Sequence, residues 1–204
     1  MKYLILFSAL LFLSNSNIEK EQKKFALLIG NGNYTFESYE SLTNPLNDVD
    51  SMEMVLTKLG FTVIKKKNCD KDQMDKYISD FVNILRDNKN RGYETIGLFY
   101  YAGHGNHVNK DNESYLIPLK SNVRQISDFK SEAYKVSKLL NRLEEVGNYL
   151  NIIMLDACRN NPSFKSMIDK QYTGHNPFLD MFEGTPPPKN NHSKSKRYST
   201  LRIG

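Results

Sequence analysis

The sequence predicts a wound α/β fold, with a mainly parallel sheet flanked by helices. Three observations predict it. Four short apolar runs are rich in β-branched and aromatic residues, amphipathic helical patterns separate them, and glycines close two of those patterns. With 204 residues, 39% hydrophobic and 25% charged, the chain has the size and composition of a single domain with one buried core.

The elements follow in chain order. Residues 24–30 (KFALLIG) are a near-continuous apolar run, as expected of a strand buried on both faces. A helix beginning near Pro45 presents Val49, Met52, Val55, Leu56 and Leu59 as one face and ends at Gly60. Residues 61–66 (FTVIKK) form the second strand, and Met74, Tyr77, Ile78, Phe81, Val82 and Leu85 mark the second helix. The third strand is residues 95–103 (TIGLFYYAG). It is followed by residues 113–119 (ESYLIPL), an edge hairpin whose proline bars it from the sheet centre. A third helix carries Val136, Leu139, Leu140, Leu143 and Val146 and stops at Gly147, and residues 151–157 (NIIMLDA) are the fourth strand.

The two ends read differently from this core. Residues 1–17 (MKYLILFSALLFLSNSN) place a lysine before an apolar run that is too short to cross a bilayer, which takes about 20 residues. Small polar residues follow, so the segment is expected to be a secretory signal, leading to a secreted or periplasmic protein with no stable membrane span after its removal. Residues 184–204 show no periodicity and are expected to be a disordered basic tail, leaving 22–183 as the folded domain. The net charge of +5 is matched by Lys189, Lys194, Lys196, Arg197 and Arg202 of that tail, so the body is neutral and no nucleic-acid partner is expected.

The motifs sit at strand ends. GNGNYT (residues 30–35) lacks the third glycine of a dinucleotide loop, and its helix starts too late to cradle a phosphate. YYAGHGNH (residues 100–107) sets His104 between Gly103 and Gly105 at the carboxyl end of a buried strand, where α/β sheets place their ligands. His107 is expected in a surface loop, and no cysteine or carboxylate cluster joins the two histidines to make a metal site. Cys158 follows His104 by 54 residues, across a helix that returns the chain to the same sheet edge. A thiol beside an imidazole is the minimum apparatus for nucleophilic acyl transfer. Cys69 has no such partner in its context and is expected to be structural.

LFYYAGHG, followed at that spacing by LDACRNNP and preceded by LTNPLNDVDSM, resembles the caspase-like cysteine peptidases of the metacaspase and paracaspase kind, over about residues 25–162. The resemblance implies a caspase-like three-layer fold and a cysteine-type endopeptidase, with Cys158 as nucleophile and His104 as general acid/base. It also implies an oxyanion hole from the backbone amides of Gly105 and Cys158. Asp-Ala-Cys-Arg departs from true caspases. Asp48 and Asp156 match acidic S1 positions of the relatives that cut after arginine or lysine, and two carboxylates suit a guanidinium. The structural alternatives are that Asp48 caps a helix, Asp156 bonds a loop, and Arg159 pairs with an acid.

The implied partner is a peptide or protein with a basic P1 residue, and Lys194, Lys196, Arg197 and Arg202 are candidate self-processing points. No cofactor is called for. Calcium stays open, because metacaspases commonly require it, paracaspases do not, and no compact EF-hand-like loop is present. After the cysteine the resemblance fades, and the small-subunit part reads as short or missing. A second chain completing the domain, a truncation, or a catalytically weak domain used as a protein-binding module are the expectations that follow.

Overall fold

The computed structural model describes residues 20–36, 39–108, 112–158 and 198–201. The expected signal segment, Arg159 and most of the basic tail lie outside them. Among the described residues, five strands form the parallel core: β1 (Gln22–Gly30), β2 (Thr62–Lys67), β3 (Glu94–Val108), β6 (Leu150–Cys158) and β7 (Tyr198–Leu201). β1 pairs with β2 and β3, β3 with β6, and β6 with β7, all in parallel. At 15 residues β3 is longer than the motif suggests, and its far end leaves the core to form an antiparallel ribbon with β4 (Glu113–Leu116), which in turn pairs with β5 (Tyr134–Lys135). Pro118 falls just past β4, as expected of a residue that cannot donate to a ladder.

The α-helices among the described residues are α1 (Pro45–Lys58), α2 (Lys71–Asn90), the single turn α3 (Phe129–Glu132) and α4 (Val136–Val146). Strand side chains alternate between two faces. Phe25, Leu27 and Ile29 of β1 join Phe99 and Tyr101 of β3 against Met74, Ile78 and Phe81 of α2 and Leu139 and Leu143 of α4. Ala26, Leu28, Leu98, Tyr100 and Ala102 face Val49 and Leu56 of α1. Both faces are covered, which is why the strands read as unbroken apolar runs rather than alternating ones. Burying one such Leu or Phe is worth about 1.5–3 kcal/mol, so the two faces together dominate the stability of the domain.

Local signals set the helix ends. Asp70 accepts from the backbone N–H of Gln73, whose side chain returns the bond to the Asp70 N–H, a complete capping box for α2. Gly60 (φ +81°) and Gly147 (φ +65°) take the left-handed conformation that stops α1 and α4.

Three expectations need correction. Val55 and Leu59 are 53% and 57% exposed, because α1 presents the stripe Pro45, Val49, Met52 and Leu56 to the sheet and these two fall beside it. His107 is part of β3, with Nδ1 3.0 Å from the Ser114 hydroxyl across the ribbon. Tyr198–Leu201, inside the stretch read as tail, extends the sheet by pairing with Asn151–Met154, which would otherwise leave that edge of β6 unpaired.

Candidate active site

The parallel register of β3 and β6 carries the site. It pairs Ala102 with Asp156, Gly103 with Ala157 and His104 with Cys158, so the backbone positions of the histidine and the cysteine are opposite one another on adjacent strands. Such strands lie about 4.8 Å apart. Both residues stand at the carboxyl edge of the sheet, as their motifs predict.

His104 is 6% exposed and packed between two aromatic rings, with Tyr34 at 4.6 Å and Tyr39 at 5.2 Å between centroids. Its Nε2 lies 2.7 Å from the Glu40 carbonyl oxygen. A carbonyl only accepts, so Nε2 carries the proton and Nδ1 of the neutral ring keeps its lone pair. Burial lowers the pKa of the imidazole below its usual 6.5, and the contact with Glu40 only partly opposes this. The neutral form is therefore the resting one at neutral pH, which is the form able to take a thiol proton.

The ring partners of His104 come from the loop between β1 and α1, and that loop is anchored by amides. Asn31 is fully buried. Its side-chain oxygen accepts from the Cys69 N–H at 2.8 Å while its amide donates to the Cys69 carbonyl at 3.1 Å and the Ile117 carbonyl at 3.4 Å. Asn68, in the left-handed region at φ +55°, accepts from the backbone N–H groups of Gly32 and Asn33, each at 3.1 Å. Leu42 N–H then closes the loop on the Gly32 carbonyl at 2.8 Å. Cys69 itself is buried behind this anchor, and burial pushes its thiol up to about 11, so it is inert at neutral pH.

Beside the strand ends lies a cavity of about 170 Å³. Leu42, Thr43, Asn44 and Pro45 form one wall, Ala102 and Gly103 another, and Asp48 and Asp156 both open into it. The structure thus brings the two carboxylates singled out from sequence to one place. Asp156 has its pKa raised by partial burial first and by the Asp48 charge second, against a long contact of 3.5 Å from the Tyr100 hydroxyl. Two like charges at one cavity leave it short of a cation. The helix-capping alternative for Asp48 does not hold, because Asn44 is the N-cap residue of α1 and Asp48 lies a turn inside. Gly105, expected to lend an amide, sits where a Cβ would come within 2.9 Å of the Ala157 Cβ, so only glycine fits between the strands there.

A profile described as the caspase domain, a peptidase family, matches residues 23–201. The chain belongs to the caspase-domain family. Over 146 residues this caspase domain is 32% identical to mucosa-associated lymphoid tissue lymphoma translocation protein 1 of Homo sapiens and to its Mus musculus homolog. The match covers 71% of this chain but 16% of either relative, so the chain spans about a sixth of their length. Among solved structures, pro-Sf-caspase-1 is similar at a TM-score of 0.51 and 16% identity, over 71% of this chain and 54% of that one. The Drosophila initiator caspase Dronc is similar at 0.50 and 14%, over 65% and 47%, and GSU0716 from Geobacter sulfurreducens at 0.50 and 16%, over 72% and 55%. These structural likenesses bear out the caspase-like fold, and family membership places the chain in a peptidase class.

Sequence reasoning missed Tyr34, Tyr39 and Glu40. Tyr34 lies within GNGNYT, where the glycines direct attention to phosphate binding. Glu40 contributes only its backbone carbonyl, which no side-chain pattern can signal. Among the described residues no group of three or more His, Cys, Asp or Glu side chains could hold a metal ion, and no helix is long and apolar enough to cross a membrane.

Proposed function

We propose that this caspase domain is a cysteine endopeptidase that cuts peptide bonds after arginine or lysine. The observation that supports it best is the register that pairs His104 with Cys158 next to a cavity holding Asp48 and Asp156. In this reading the Cys158 thiol gives its proton to Nδ1 of His104, and the thiolate attacks the scissile carbonyl. The backbone amides of Gly105 and Cys158 stabilise the oxyanion. When the C–N bond breaks, the imidazolium proton passes from Nδ1 to the leaving amine. His104 then takes a proton from water, hydroxide adds to the thioester, and collapse returns the thiol and a new carboxylate. Throughout, Nε2 keeps its proton and donates it to the Glu40 carbonyl, which holds the ring in the tautomer the cycle needs. The two carboxylates of the cavity receive the P1 guanidinium or ammonium.

A panel of fluorogenic peptides that differ only at P1 tests this. Cleavage after arginine and lysine, lost in Cys158→Ala and in His104→Ala, is the expected result. Cleavage that survives Cys158→Ala, or a panel with no basic preference, sinks the proposal. A second reading, a caspase domain that binds proteins without cutting them, is favoured by the 6% exposure of His104. An arginyl acyloxymethyl ketone separates the two, since a binding module leaves Cys158 unlabelled.

A further inference from the structure

We propose that Tyr34 is the positioning residue of this site, gripping His104 by its peptide and by its ring, with the Tyr101 hydroxyl as support. The inference rests on the reading of His104 as general acid/base. It starts from a topological fact: β3 changes partners here. Through Ala102 it runs beside β1, and from Gly105 onward it pairs with β4. At such a switch the ladder that serves the backbone is interrupted, and buried backbone groups must find other partners.

Two phenols supply them. The His104 N–H donates to the Tyr34 hydroxyl at 3.1 Å, and the His104 carbonyl accepts from the Tyr101 hydroxyl at 3.0 Å as well as from the Ile117 N–H at 3.0 Å. The Tyr34 hydroxyl donates onward to the Ile117 carbonyl at 2.9 Å, on which Tyr101 also converges at 2.8 Å, with the two phenol oxygens 3.2 Å apart. Each phenol has one proton: Tyr34 spends its own on Ile117, and Tyr101 shares its own between Ile117 and His104. Burial raises the pKa of both, that of Tyr34 to about 12, so both remain donors across the working pH range.

The same Tyr34 lays its ring 4.6 Å from the imidazole. One residue therefore fixes where the His104 backbone emerges from the sheet and how its ring is turned, while Glu40 of the same loop holds Nε2. Release of the peptide displaces Nδ1 relative to the Cys158 position, and misplacement of about 1 Å in a reacting group costs roughly 100-fold in rate. Tyr134 is the internal control. It is also buried, and its hydroxyl has Arg142 as its electrostatic neighbour but no hydrogen bond of good geometry.

The experiment compares Tyr34→Phe with Tyr134→Phe in the full chain, both of which keep their rings. The first readout is the ring-nitrogen NMR signals of His104, assigned with His104→Gln. The second is kcat and KM on an arginyl peptide. Tyr34→Phe is expected to move the His104 ring nitrogens and lower kcat roughly 10- to 100-fold with KM nearly unchanged, while Tyr134→Phe changes neither. Unmoved ring nitrogens in Tyr34→Phe, or equal shifts in both variants, overturn the inference. If the unaltered protein cuts no peptide, the proposed function fails and the NMR comparison alone decides the role of Tyr34. Should Tyr34→Phe not fold, Tyr101→Phe must move the same signals, and its silence overturns the inference equally.

Discussion

Adding a single methyl group at Gly103 drives it into the two phenols that serve the His104 peptide. A Cβ there would stand 2.7 Å from the Tyr101 hydroxyl oxygen, 2.9 Å from its Cζ and 2.9 Å from the Tyr34 hydroxyl oxygen. The ends of long side chains often swing aside at little cost, but these are tied to Ile117 and His104 by hydrogen bonds of 2.8 to 3.1 Å. Overpacking of this kind costs about 1–3 kcal/mol. Each buried hydrogen bond forced open adds about 1 kcal/mol. With two hydroxyls displaced, Gly103→Ala should lose about 3–5 kcal/mol, a large part of a total stability of roughly 5–15 kcal/mol. Gly60→Ala is the comparison: like Gly103 at φ +157°, it has a φ (+81°) that alanine rarely adopts, but no atom lies within 4 Å, so the loss there is about 1 kcal/mol. Urea unfolding followed by circular dichroism reads both. At a slope of about 2 kcal/mol/M, the Gly103→Ala midpoint should fall by roughly 1.5–2.5 M and that of Gly60→Ala by roughly 0.5 M. Equal midpoint shifts would refute the view that the phenol pair is rigid.

Asp156→Asn should reduce kcat/KM on an arginyl peptide roughly 10- to 100-fold, the worth of one charge-assisted hydrogen bond, while a peptide with neutral P1 is little affected; a uniform loss on both substrates counts against a role in the S1 cavity. Because its pKa is raised, Asp156 becomes neutral at a higher pH than an ordinary carboxylate, so KM for arginine should climb on acidification, and Asp156→Asn should flatten that climb. His104 shifts the other way: its lowered pKa keeps it neutral as pH falls below 6.5, whereas the unfolded chain protonates there. Stability should therefore decline as pH falls below 6.5 and level off once the folded imidazole also charges, a slope that His104→Gln removes in urea melts run across that range. Asp70→Ala opens the capping box of α2 and should cost about 1 kcal/mol in the same melts, leaving kcat unchanged.

The legible parts of the fold were those where a residue acts through its own side chain and its near neighbours. β1 and the first part of β3 announced themselves because Leu27, Leu28, Phe99 and Tyr100 are buried on opposite faces of one sheet, and such strands leave no polar alternation to confuse the reading. His104 and Cys158 were legible as a pair because a βαβ return brings strand ends together. Val55 and Leu59 misled because a helix can carry two apolar stripes side by side while the sheet needs only one. β7 was hidden because its pairing is non-local: Tyr198 meets Asn151 across a long stretch of sequence, and four residues amid lysines carry no periodic signal. Around His104 the sequence revealed the imidazole but not its setting. Tyr34 has an unremarkable address, and the Glu40 carbonyl is a group that every residue owns.

Glu40, whose carbonyl meets His104, precedes by two residues the stretch from Leu42 to Pro45 that walls the acidic cavity, and the Gly32 contact draws both onto one short closed segment. For the proposed peptidase, preference and speed are consequently hard to edit apart. Enlarging the wall to admit another P1 side chain would tug on the carbonyl that orients the imidazole, so variants selected for a new substrate should arrive slow, and recover only through compensating changes near Tyr34 and Tyr39. An inhibitor lodged against Leu42 or Asn44 would reach the histidine by the same route without touching it.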